Sequence, residues 1–218
     1  MGTALDLTGS QMLGLAVAAL CAGAYLGRVH RQPSLVRSML KLASVAVLAA
    51  LAAGHAPGLS LALAVSALGD LALSRPGERA FLVGVLAFAV AHCVYVVLFL
   101  GLPGADLLNL LVAPRLWYFL GLSALAALVA RMLFRHAGAL RWAVLAYVPL
   151  ILAMTLAALA QARPALWLGA TMFLSSDLIL AVERFLLAPS SGWRRASAPA
   201  IWLLYWGAQL VFFLALAT

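Results

Sequence analysis

Long apolar segments alternate with short polar connections along the whole chain. Each segment is about 17–22 residues long, the length that a helix needs to cross the hydrocarbon core of a bilayer. Backbone groups find no hydrogen-bond partner in lipid, so such segments must be helical. The pattern predicts an all-α fold, a polytopic membrane bundle of eight transmembrane helices. They lie near residues 9–27, 37–54, 58–74, 80–101, 115–134, 140–160, 165–186 and 197–217.

Composition agrees with this interpretation. Of the 218 residues, 67% are hydrophobic and only 9% are charged, a balance that cannot cover a soluble surface. The connections are too short for a soluble domain, so residues 1–218 are expected to form a single transmembrane domain. The second segment is the weakest of the eight, because it is short, rich in alanine and has Lys41 near its start.

The basic residues are divided unevenly between the connections. Twelve of the fourteen flank the first, third, fifth and seventh connections, while Arg115 and Arg163 flank the others. Because basic residues favour the cytoplasmic side, this predicts a multi-pass protein of the cell membrane with both termini outside. The net charge of +8 is then explained by topology and by contacts with lipid phosphates, and nucleic-acid binding is not expected.

Two aspartates lie inside the third and seventh segments. Asp70 and Asp177 each come 12 residues after the start of the segment, at residues 58 and 165, and each is followed by Leu-x-Leu. The two segments are four apart, so both carboxyls are expected at the same depth in helices that run in the same direction. This indicates a 4+4 parallel repeat about an axis along the membrane normal, which would bring the carboxyls together.

A carboxylate at membrane depth costs roughly 2.5–3.5 kcal/mol on insertion scales, which makes both aspartates candidate catalytic residues. As a pair in a cleft that excludes water, one would hold a proton and the other would act as a base. The alternative is that each is neutralised separately, Asp70 by Ser66 or Ser74 and Asp177 by an arginine.

Further polar side chains are candidates for positioning a substrate. His92 and Tyr95 share one face of the fourth segment, and Tyr205 and Gln209 share one face of the eighth. The alternatives are a satisfied core histidine and polar contacts between helices. Ser176 precedes Asp177 without a Gly-x-Ser-x-Gly elbow, so a small residue at a helix contact explains it better than a nucleophile does.

Lys41 is the deepest basic residue and the best candidate for binding the phosphate of a substrate, although anchoring to lipid phosphate is an alternative for it. A metal site built from Asp70, Asp177 and His92 is conceivable. No His-x-x-x-His or Cys-x-x-Cys spacing supports it, so no metal is expected.

Several of these residues recur in one order and spacing: Gly69-Asp70, Phe81-x-x-Gly84-x-x-x-Phe88-x-x-x-His92-x-x-Tyr95, Phe173-x-x-Ser176-Asp177 with Phe185, and Tyr205-x-x-x-Gln209. In this the chain resembles the YhhN-like family, the lysoplasmalogenases. It departs from the family at Lys41-Leu42, where the family pattern has Lys-Pro. The resemblance implies hydrolysis of the vinyl-ether bond of lysoplasmalogens to a fatty aldehyde and glycerophosphoethanolamine or glycerophosphocholine, without a cofactor.

Vinyl ethers are inert to base and labile to acid, so this reaction needs one protonated carboxylic acid and one carboxylate. Asp70 and Asp177 are expected to supply them. The substrate would be a lysophospholipid with its chain among the apolar helices and its phosphate at the cytoplasmic interface near Lys41. The active site would then open toward the cytoplasmic half of the membrane. Positioning of water or the ether oxygen is expected from His92, Tyr95, Tyr205, Gln209 and Ser176.

Two other classes of function use carboxylates within the membrane. A proton-coupled transporter or lipid-binding membrane protein would fit the aspartates and the repeat, but Pro149 is the only proline well inside a segment. An intramembrane aspartyl protease would have Gly-x-Gly-Asp, whereas Ala67-Leu68-Gly69-Asp70 lacks the first glycine. Its Pro-Ala-Leu tripeptide is present only at Pro164-Ala165-Leu166, before the wrong aspartate.

The charge distribution predicts the side of the membrane on which each end lies. An alkaline phosphatase reporter fused after Thr218 should be active, because the enzyme folds only outside, and the same reporter fused after Arg31 should be inactive. The opposite pair of activities would invert the topology.

Overall fold

The computed structural model describes residues 8–217, and its regular structure there is entirely helical. The predicted all-α bundle is confirmed, since every predicted segment matches one helix with ends within three residues. Thr218, on which the prediction of sidedness depends, lies outside the described residues. The helices are α1 (Gly9–Leu26), α2 (Leu35–Ala52), α3 (Pro57–Leu73), α4 (Glu78–Gly101), α5 (Arg115–His136), α6 (Arg141–Leu159), α7 (Pro164–Phe185) and α8 (Arg194–Leu216), with 3-10 turns at Leu107–Leu111 and Gly138–Leu140.

Seven helices in this part of the chain are long and apolar enough to cross a membrane. The other, α3, has 17 residues and is about 25 Å long at 1.5 Å per residue. The weakest predicted segment forms a regular helix, α2, of 18 residues. Its first turn has a local cause, because the Ser34 side chain caps it by accepting a hydrogen bond from the Arg37 N–H.

Consecutive helices pack against each other within each half of the chain, α1 to α4 and α5 to α8. The halves meet where α4 packs on α6 and where α8 contacts α1, α2 and α3. Most of the buried side chains form one core between these helices. By contrast, α5 lies at the edge of the bundle, and Leu133 is its one buried residue among those described.

The buried positions of the two halves coincide, which supports the 4+4 parallel repeat. All five buried residues of α7 have buried counterparts at the same distances from the start of α3. In α2 and α6, five such pairs are buried as well. The α3/α7 pairs are Leu59/Leu166, Ala62/Gly169, Leu63/Ala170, Ser66/Phe173 and Gly69/Ser176; the α2/α6 pairs are Ser38/Val144, Val45/Ile151, Leu48/Met154, Ala49/Thr155 and Ala52/Ala158.

The fourth helix of each half follows the same rule. Buried residues recur with one spacing in both, as Phe88, Ala91, His92 and Tyr95 in α4 and as Tyr205, Ala208, Gln209 and Phe212 in α8. Two of these equivalent pairs touch across the centre of the bundle. The Phe88 and Tyr205 rings lie 5.5 Å apart, and the Tyr95 and Phe212 rings 4.9 Å apart. The axis that relates the halves therefore passes between α4 and α8.

Close helix contact in the second half depends on Gly169. A Cβ atom there would lie 2.5 Å from the Phe212 ring, whereas nothing lies within 4 Å of one at Gly121. Gly169→Val should therefore lower the free energy of unfolding by about 1–3 kcal/mol through overpacking, measured by denaturant titration in detergent. Gly121→Val is the matched control for helix propensity, and equal losses in the two variants would contradict this packing.

Candidate active site

A cavity of about 290 Å³ opens at the end of the bundle where the loops carry most of the arginines. We call it the polar cavity. Both aspartates line it, as do Lys41, Ser176 and Tyr205. The sequence prediction that the two carboxyls share one site therefore agrees with where the structure places them. Asp70 comes 13 residues after the start of α3, and Asp177 comes 13 residues after the start of α7.

Asp70 is held by two donors from two other helices. The Lys41 ammonium on α2 lies 2.9 Å from Oδ1, and the Tyr205 hydroxyl on α8 donates to Oδ2 at 2.7 Å. The Asp70 side chain is 1% exposed. The alternative that Ser66 or Ser74 neutralises it is wrong, because the Ser74 hydroxyl donates to Ser38 and to a backbone carbonyl and Ser66 Oγ makes no hydrogen bond.

The Lys41 ammonium is surrounded by aromatic rings as well as by its counter-ion. It lies 5.7 Å from the Trp202 ring centre and 5.9 Å from those of Tyr25 and Tyr205. Such ring faces attract a cation, and the ion pair with Asp70 compensates its charge. The structure thus places Lys41 inside the site, and its charge is already paired there.

Asp177 has a different partner. It accepts a hydrogen bond from the Tyr147 hydroxyl on α6, and no arginine neutralises it among residues 8–217, so that alternative is also wrong. Sequence reasoning missed Tyr147. The signal that could have found it is the repeat, because Tyr147 comes 6 residues after the start of α6 and Lys41 comes 6 residues after the start of α2.

A second depression, which we call the apolar groove, lies between α4, α5, α6 and α7. Its volume is about 100 Å³, and Tyr147 and Asp177 are the polar residues on its lining, with Leu122, Val129, Ile151 and Leu178 among the others. The groove and the polar cavity share five residues, Leu73, Phe81, Phe88, Asp177 and Leu180. Asp177 therefore faces both compartments, whereas Asp70 lines only the polar cavity.

Three of the predicted positioning residues line neither compartment. The Tyr95 hydroxyl donates to Gln209 at 2.5 Å, and both side chains are fully buried. His92 Nδ1 lies 2.6 Å from the Phe88 carbonyl oxygen, so this nitrogen carries the hydrogen and donates it. The His92 ring also packs edge-on against Tyr147, with the ring centres 5.2 Å apart. These residues can support the site only from beneath it.

Ser176 and Tyr205 do line the polar cavity. The Ser176 hydroxyl is directed away from Asp177, since it donates to the Ile201 carbonyl on α8 at 3.0 Å. This contact is the role of a small residue at a helix interface, as its sequence setting indicated. Tyr205 is the predicted positioning residue that touches a catalytic candidate directly.

The mouth of the polar cavity carries three arginines. Arg37 is held by the Val29 carbonyl at 3.2 Å and the Tyr25 hydroxyl at 3.4 Å. Arg75 follows α3, just before a turn at Gly77, whose φ of +102° favours glycine. Arg184 lies over the Phe81 ring at 5.0 Å. Within residues 8–217, the guanidinium groups of Arg75 and Arg184 have no hydrogen-bond partner, so both can bind an anion.

The comparisons with known proteins return one match. A family model described as the YhhN family matches residues 35–216, from the start of α2 to the end of α8. No curated protein and no solved structure matches the chain. Among residues 8–217, no group of three His, Cys, Asp or Glu side chains could hold a metal ion.

The Lys41–Asp70 ion pair can be tested as a unit. Lys41→Met leaves a buried carboxylate without its cation and should lower the free energy of unfolding by about 3–5 kcal/mol. Lys41→Met combined with Asp70→Asn removes both charges and should cost less than the two single changes added together. Denaturant titrations of the four proteins in detergent measure this, and strictly additive losses would show that the two groups do not interact.

Proposed function

The chain belongs to the YhhN family, and we propose that it is an integral membrane lysoplasmalogenase. It would hydrolyse the vinyl-ether bond of a lysoplasmalogen to a fatty aldehyde and glycerophosphoethanolamine or glycerophosphocholine. The observation that carries the proposal is the meeting of the polar cavity and the apolar groove at Asp177.

The shape of the two compartments suits a lipid with a single chain. In a lysoplasmalogen the vinyl ether joins the polar glycerol to the apolar chain. With the headgroup in the polar cavity and the chain in the groove, this bond would lie where the two compartments meet. Asp177 is the titratable residue that lines both compartments, so a carboxyl would stand beside the bond to be cleaved.

The headgroup phosphate would bind at the mouth of the polar cavity. Lys41, the predicted phosphate ligand, already has Asp70 as its counter-ion, and Arg37 is held by its own hydrogen bonds. Arg75 and Arg184 line the same cavity with unpaired guanidinium groups. A guanidinium presents several donors to phosphate oxygens, and we assign the phosphate to this arginine pair.

The chemistry proceeds by protonation on carbon. One carboxylic acid transfers its proton to the β-carbon of the vinyl ether, and the double-bond electrons form the new C–H bond and leave an oxocarbenium ion. Water adds to that cation and loses a proton to the other carboxylate. The hemiacetal then collapses, with its hydroxyl proton passing to the first carboxylate and the second carboxyl protonating the leaving glycerol oxygen. Both carboxyls return to their starting states.

The function is tested with purified protein in detergent, lysoplasmenylethanolamine and a coupled aldehyde assay. The wild type should release aldehyde, and Asp70→Asn and Asp177→Asn should each lower the rate by about 10²–10⁴-fold, the usual contribution of a general acid or base. Asp106→Asn is the matched control. Asp106 caps a 3-10 turn outside both compartments, and asparagine caps equally well.

A lysolipid with a saturated alkyl ether is the control substrate, because it cannot form the oxocarbenium ion by protonation and should not be cleaved. A folded wild type that releases no aldehyde would refute the activity. Wild-type rates in both active-site Asn variants would refute the assigned pair.

A further inference from the structure

We propose that Asp177 is the carboxyl that carries the proton and delivers it to the substrate carbon, with Tyr147 as its positioning residue, while Asp70 stays ionised as the base. This assignment rests on the proposed function and on two geometric observations. The repeat gives the two aspartates unequal partners at equivalent positions, and only one of them reaches the apolar groove.

The first unequal position is on the second helix of each half. Lys41 and Tyr147 occupy the same place in α2 and α6, and each touches the aspartate of its own half. A cation therefore faces Asp70 where a neutral phenol faces Asp177. An ammonium group stabilises a carboxylate far more than a phenol does, because it adds full charge to the hydrogen bond.

The second unequal position is on the fourth helix. Tyr205 donates to Asp70 from α8, and its equivalent in α4 is Phe88, which lines both compartments beside Asp177. Phenylalanine has no donor. At both equivalent positions the second half thus carries the residue that stabilises an anion less, and Asp177 is left with one hydrogen bond and apolar walls.

Other titratable groups near Asp177 leave this difference in place. Lys41, Asp70 and Tyr205 face the same cavity but bond to one another. His92 meets Tyr147 through ring contact and spends its N–H on a backbone carbonyl. On α7 itself, Glu183 pairs with Arg194 at 3.5 Å, and Arg184 lies over Phe81.

The location of the two carboxyls agrees with this division. A proton bound for the β-carbon must come from the side of the chain, and Asp177 lines the apolar groove. A base that takes a proton from water must stand where water can enter, and Asp70 lines the polar cavity alone. By donating to one oxygen of Asp177, Tyr147 would leave the protonated oxygen to face the substrate.

Infrared spectroscopy of the substrate-free protein at neutral pH tests the assignment without relying on activity. A protonated carboxyl has a C=O stretch that a carboxylate lacks, and it shifts in D₂O. We expect one such band from the buried carboxyls of the wild type, lost in Asp177→Asn and kept in Asp70→Asn. Tyr147→Phe should keep the band and shift it, because the hydrogen bond to Asp177 is gone.

The matched pair of changes at Tyr147 adds a second readout. Tyr147→Lys reproduces the first half of the repeat, so it should remove the infrared band and abolish aldehyde release. Tyr147→Phe should lower kcat about tenfold, the value of one lost hydrogen bond, with KM unchanged. A purely structural role for Tyr147 would change thermal stability and leave the band where it is.

The outcomes separate this assignment from the function it rests on. A band lost in Asp70→Asn and kept in Asp177→Asn would reverse the roles, and no band in the wild type would overturn the assignment altogether. The expected bands without aldehyde release would leave the proton on Asp177 and refute the lysoplasmalogenase activity instead.

Discussion

The cost of placing charge inside a membrane governs the arrangement of this bundle. An isolated carboxylate there is unfavourable by several kcal/mol, and the Lys41–Asp70 contact at 2.9 Å offsets that cost by joining α2 to α3. Tyr205 brings α8 to the same carboxylate. A single ionised group therefore links three helices. The aromatic rings around the ammonium pack where they do because the cation lies between them.

The internal repeat explains how one scaffold can hold two aspartates in unlike surroundings. The backbone and the buried faces of the two halves remain equivalent, as the paired burial of α3 and α7 shows. The partners of the two carboxyls have diverged, with lysine in one half and tyrosine in the other. Divergence at a few contacting positions changes the electrostatics of a site at little cost in packing, because the helices that carry those positions stay in place.

Much of the fold was predictable because a bilayer leaves few choices. Segment length and hydrophobicity determine the number of helices, and the equal depth of Asp70 and Asp177 follows from their equal distance from the helix starts. The partner of Asp70 was missed because the predicted second segment begins at residue 37. The helix begins at Leu35, which places Lys41 nearly two turns inside it. Tyr147 was missed because tyrosines are common in membrane helices, and its position has meaning only once α2 and α6 are superposed.

The exposed position of α5 has a consequence for the traffic of molecules through the site. This helix forms one wall of the apolar groove and buries little of its own surface, so the groove lies next to the lipid phase. A lysolipid would enter sideways from its leaflet without crossing water. After cleavage in the proposed reaction, the aldehyde would diffuse back into the bilayer, and the water-soluble glycerophosphodiester would leave through the arginine-lined mouth. Because the products part into different phases, their recombination would be suppressed by partitioning alone.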